Sequence, residues 1–148
     1  MPDLPDPATD LRTGPLGTGS LLLQMAWGIF FAAWNFRSLG LIAQHQAPLG
    51  PDTSMNVALV AIGLIVALMV SAKRSAAAYA AVSLATLAVA GWAVYGELVA
   101  DGSEWASEAG RAMVVAINGI GILGSALALL NVARRRLGRD VAGVRGRS

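Results

Sequence analysis

Four residues of this chain could do chemistry at membrane depth: Asn35, Arg37, Glu97 and Asn118. Arg37 and Glu97 stand at the same ends of two long apolar runs. Asn35 and Asn118 sit slightly deeper in the same half, with Trp34, Trp92 and Tyr95 near them in depth. An ionisable group at such depth reads by default as functional, with a partner to be named. The sharp reading is an outward-facing polar pocket in which Arg37 pairs with Glu97. The plainer reading is interfacial anchoring, in which the charges snorkel and the asparagines tie helices together by hydrogen bonds.

Other candidates carry less. Asp101, Glu104 and Glu108 share one helical face at spacings of three and four, and oxygen ligands suit a divalent cation. No EF-hand-like spacing accompanies them, and acids outside a membrane are ordinarily solvated. His45 lies in a loop between Gln44 and Gln46, where it could sense external pH. Gly14, Gly17 and Gly19 form no phosphate loop, because no GK[ST] and no strand accompany them. No Ser-His-Asp, HExxH or paired-carboxylate arrangement stands out, so the chain leans away from enzyme. With no Cys and one His, thiolate catalysis, disulfides, iron–sulfur clusters and a bis-His haem within one chain are excluded. No catalytic residue, cofactor site or metal site is assigned.

The elements that must position these residues are apolar helices. The chain has 148 residues, of which 55% are hydrophobic and only 14% charged. A soluble domain carries about 25% charged residues. A bilayer-crossing helix needs about 20 mostly apolar residues. Four runs meet that need, at roughly 17–36, 55–72, 76–96 and 112–133. The expected fold is an all-α integral membrane protein, a four-helix transmembrane bundle with both termini cytoplasmic. Residues 1–16 are rich in Pro, Asp and Gly and are expected to be disordered. Residues 134–148 are expected to form a basic, mobile cytoplasmic tail.

The first run does not stop cleanly, because Leu39, Leu41, Ile42 and Ala43 follow Arg37. Burying an Arg at the centre of a span costs about 2.5–3.5 kcal/mol. Arg37 is therefore expected at the interface, with the helix running on past it. Pro48, Gly50 and Pro51 then mark a loop, and Asp52, Thr53 or Ser54 can cap the second helix. In the second run Gly63, Ala67 and Ser71 recur every four residues. In the fourth, Gly121 and Ser125 do the same. Such small faces let a neighbouring backbone approach closely, within the chain or between chains. The first half of the third run, from Ala76 to Ala85, is nearly all small residues and is expected to pack closely on its neighbours. A short amphipathic helix is expected around 103–109, with Trp105 toward the headgroups. At an offset of 61, Gly63, Ala67, Leu68 and Ala72 match Gly124, Ala128, Leu129 and Ala133. Either a duplicated hairpin or the restricted alphabet of membrane helices would produce that match.

Charge sets the expected orientation. Basic residues stay on the cytoplasmic side. Lys73 and Arg74 place the second link inside, and Arg134, Arg135 and Arg136 place the C-terminus there too. Nine of the eleven basic residues fall inside in this arrangement. These same arginines could touch anionic lipid; nucleic acid is not an expected partner. The dominance of Arg over Lys suggests a GC-rich, bacterial genome, and the cell (inner) membrane is the expected location. The leading expectation for function is an accessory or interaction subunit, or a homo-oligomer, associating through Gly63, Ala67 and Ser71 or through Gly121 and Ser125. The alternative is a small oligomeric transporter or channel with the outward pocket.

Overall fold

A computed structural model describes residues 14–51, 53–99 and 107–145, with side chains as far as 137. Four helices account for nearly all of them: α1 (Pro15–Ala43), α2 (Met55–Arg74), α3 (Ala76–Val99) and α4 (Glu108–Arg145). Each contains a stretch long and apolar enough to cross a membrane. Each helix packs beside the next, and α4 closes the ring against α1. Consecutive helices run antiparallel, so α1 and α3 are parallel across the diagonal.

Local chemistry explains where the helices begin and end. Pro15 opens α1 at a position where its missing N–H is no loss. α1 ends in a Schellman arrangement: Gln46 N donates to Leu41 O at 2.9 Å and His45 N to Ile42 O at 3.0 Å. His45 takes the left-handed conformation this needs, at φ 58°. Ser54, one of the three expected caps, accepts from Val57 N at 3.2 Å and starts α2. Ser75 alone joins α2 to α3. Its N–H donates to Ser71 O, and its Oγ accepts from Ala78 N at 3.3 Å. Ser107 Oγ accepts from Gly110 N at 3.0 Å and caps α4.

The helices outrun the expected spans. α1 continues through Arg37 to Ala43, as its apolar sequence after Arg37 suggests. α4 continues through Arg134, Arg135 and Arg136 to Arg145, so the expected mobile tail is helical as far as that residue. Arg, Leu and Ala are good helix formers, and no Pro interrupts them. The expected helix at 103–109 falls largely on residues 100–106, outside the described residues.

Packing divides small residues that look alike in sequence. Gly121 is buried: a Cβ there would stand 2.6 Å from Cγ and Cδ1 of Trp27. Gly124 likewise faces Leu23 and the backbone of Gln24, at 2.9 and 3.0 Å. Gly63 faces open space, with nothing within 4 Å. The expected close packing of early α3 holds for one side only: Ala76 and Ala80 pack against the core, whereas Ala77, Ala78, Ala81 and Ala85 are exposed. The four residue matches at offset 61 do not share environments. Gly63 is exposed where Gly124 is buried, and Ala72 is buried where Ala133 is exposed. The buried faces of α2 and α4 instead align at offset 60, pairing Ala58 with Asn118 and Leu68 with Ala128. One residue turns a helix by about 100°, so the matched letters are not structural counterparts.

Two apolar clusters fill the bundle. Leu68, Ala72, Tyr79, Ala128 and Val132 form one end. Trp27, Phe31, Ala32, Ala61, Ala90 and Ile117 form the middle and the other end.

Candidate functional site

A cavity of about 430 Å³ opens at the end of the bundle where α1 and α3 finish and α2 and α4 begin. Phe31, Trp34 and Asn35 reach it from α1, Val57 from α2, Val89, Trp92 and Glu97 from α3, and Val114 from α4. Gly50, Pro51, Thr53 and Ser54 of the α1–α2 loop complete the wall. Its size and its mix of aromatic, aliphatic and few polar groups suit a small-molecule site.

The wall is held by hydrogen bonds. Ser38 Oγ is 2.7 Å from Thr53 Oγ1 and accepts from Leu49 N at 2.7 Å. Thr53 Oγ1 donates to Gly50 O at 2.9 Å. Asn35 Nδ2 donates to Phe31 O one turn earlier, and its Oδ1 accepts from Ser54 N at 3.4 Å. The loop is thereby pinned to α1 by two polar side chains that would otherwise be unsatisfied inside the bundle.

Glu97 is only 5% exposed. Among the described residues it is the one ionisable group on the cavity lining. Arg111, from the first turn of α4, donates through Nε and Nη2 to the Glu97 main-chain oxygen at 3.1 and 2.7 Å. This ties the start of α4 to the end of α3. The cation brought to the Glu97 main chain is therefore Arg111, and not Arg37 as in the sharper of the two sequence readings. Arg37 is exposed on α1 and does not line the cavity.

Asn118 is fully buried but lies deeper than the cavity. Its Oδ1 accepts from Trp27 Nε1 at 2.9 Å, and its Nδ2 donates to Val114 O at 3.0 Å. Trp27 in turn stacks on Phe31, with ring centroids 5.4 Å apart. Phe31 lines the cavity, and Trp27 backs it from beneath. Of the four candidate pocket residues, the structure brings Asn35 and Glu97 together on one lining, sets Asn118 beneath it and leaves Arg37 outside.

Below Trp27 is a polar centre that the sequence reading passed over. Gln24 Nε2 donates to Ser83 Oγ at 3.1 Å and to Ser125 Oγ at 3.2 Å. Its Oε1 accepts from Tyr79 Oη at 2.9 Å. Tyr79 Oη also lies 3.5 Å from Ser20 Oγ. One side chain thus links α1, α3 and α4 across the bundle axis. The signal was present, since Gln24 is an amide inside an apolar run, the property that singled out Asn35 and Asn118.

Other candidates find no site here. Among the described residues no group of three His, Cys, Asp or Glu could hold a metal ion. Glu108 is exposed at the first turn of α4, and Asp101 and Glu104 lie outside the described residues. Lys73, Arg74, Arg134 and Arg136 are exposed and Arg135 is half-buried, all at the end of the bundle opposite the cavity. The chain matches no protein-family model, no curated protein and no solved structure.

Proposed function

We propose that this chain is a multi-pass protein of a cell membrane, with both termini cytoplasmic, that holds a small molecule in a cavity facing outward. The cavity at the ends of α1 and α3 carries the reading: a walled space lined by Phe31, Trp34 and Trp92 that holds, among the described residues, one carboxylate, Glu97.

Two observations support the membrane setting. Polarity is inverted relative to a soluble bundle. Ser20, Gln24, Ser38, Ser83, Thr86, Asn118 and Ser125 are fully buried, while Leu22, Ile29, Phe30, Leu59, Val66, Leu84 and Leu123 are each more than half exposed. Exposed apolar area on that scale is unfavourable in water and ordinary in lipid. The charges support the orientation. Lys73 and Arg74 at the end of α2 and the arginines at the end of α4 share one end of the bundle, and the positive-inside tendency assigns that end to the cytoplasm.

Trp27 and Gln24 are fully buried beneath the cavity and do not line it, which supports a cavity closed at its inner end. Binding is thus the primary activity, and transport would require that end to open within an oligomer. A second reading, an accessory subunit or homo-oligomer, draws support from Gly63 and its open surroundings. A Cβ at that small position on α2 would meet no described residue within 4 Å.

The chain has no Cys, so single cysteines test the arrangement cleanly. In intact cells a membrane-impermeant maleimide should label Gln46→Cys in the α1–α2 loop and Ala93→Cys on the cavity lining. Leu137→Cys should react only after lysis. Labelling of Leu137→Cys in intact cells would overturn the orientation. An unreactive Ala93→Cys beside a reactive Gln46→Cys would overturn the open pocket.

A further inference from the structure

We infer that the cavity recognises an organic ammonium ion with an apolar body, through Glu97 and the aromatic faces of Trp34, Trp92 and Phe31. This rests on the reading of the cavity as a ligand site and names the ligand's chemistry.

Charge comes first. Two helices end and two begin at this end of the bundle, so their dipoles oppose one another and largely cancel. Among the described residues, the formal charge on the lining is that of Glu97. The Arg111 guanidinium is directed at the Glu97 main-chain oxygen and does not line the cavity. With Glu97 only 5% exposed, its field reaches the cavity with little screening by water.

The kind of cation follows from the other groups. A divalent metal ion takes six or more oxygen ligands, and no cluster of acidic or imidazole side chains is present among the described residues. Aromatic rings beside a carboxylate attract a different cation. Ring faces, indole above all, draw a weakly hydrated ammonium through their quadrupole. The apolar remainder, Val57, Val89 and Val114, fits a hydrocarbon body.

Such an ammonium has two sources, a soluble amine and the headgroup of a choline lipid. Both present the same chemistry to the cavity.

The test uses the full chain in dodecyl maltoside micelles. Tryptophan fluorescence is titrated with benzyltrimethylammonium and with its uncharged carbon isostere, neopentylbenzene, each corrected for partition into empty micelles. The cation should bind at least roughly tenfold more tightly than the isostere. Glu97→Gln should remove that gap and leave isostere binding unchanged. Equal or tighter binding of the isostere overturns the ammonium inference and leaves the cavity a ligand site. Binding of neither probe overturns the ligand-site reading itself. Should Glu97→Gln fail to fold, the comparison of the two probes on the native chain still decides. Added phosphatidylcholine that competes with the cation, where phosphatidylglycerol does not, assigns the lipid source; absence of competition assigns the soluble amine.

Discussion

The indole nitrogen of Trp27 donates to the side-chain oxygen of Asn118 across 2.9 Å, joining α1 to α4 where both residues are wholly buried. Asn118 is fixed from the other side by its own bond to Val114 O, so the acceptor is presented in one orientation. Trp27 is thereby held against Phe31, which lines the cavity. The pair gives Asn118 a structural role beneath the site: it ties two helices by a hydrogen bond, as in the plainer of the two sequence readings, and does not line the pocket.

Asn118→Leu should leave the Trp27 N–H buried and unpaired. The expected loss is about 1–3 kcal/mol, the cost of an orphaned buried donor. Trp27→Phe removes the donor along with part of the ring. A double-mutant cycle on the two should return a coupling of roughly 0.5–1.7 kcal/mol, the range for hydrogen bonds between membrane helices. Reversible unfolding in mixed micelles measures it, and a coupling near zero would mean the bond contributes nothing to stability.

Gly121→Ala should destabilise the bundle by about 1–3 kcal/mol, because the new methyl group meets the Trp27 ring, which is closed in on its other sides. Gly63→Ala should be neutral or stabilise by up to about 1 kcal/mol, since it gains helix propensity and meets nothing. Thermal unfolding of the two variants side by side separates them. If Gly63→Ala instead dissociates an oligomer in native mass spectrometry, α2 is an interface and the accessory-subunit reading gains weight over pocket binding.

Gln24→Leu should cost about 1–3 kcal/mol, because three hydroxyls on two other helices lose their partner together. Ser83→Ala and Ser125→Ala should each cost less, since the remaining bonds of Gln24 persist. Their combination with Gln24→Leu should be clearly less than additive. Additive costs in a chemical-denaturation series would show that the three side chains do not act as one centre.

The number of helices, the links between them and the cap of the second were legible in the sequence. Four apolar runs of bilayer length, the Pro48 to Pro51 loop, and Ser54 ahead of the second run are local features, and local energetics decide them. The paired basic residues at the ends of α2 and α4 were equally plain. What tertiary structure alone decided is which side of each helix faces inward. In these spans apolar residues occupy both faces, so the pattern of hydrophobicity does not mark the buried side. Gly63 and Gly121 head the same kind of small-residue series. Only the approach of Trp27 makes the second a packing position and leaves the first open. The depth of Arg37 and Glu97 could be read along the chain, but not that one points outward while the other lines a cavity. Gln24 was one amide among apolar neighbours until α3 and α4 brought Tyr79, Ser83 and Ser125 around it. Depth along a helix is a one-dimensional property, set by counting residues. Azimuth around it is settled only by the neighbours that satisfy its polar groups and fill its grooves.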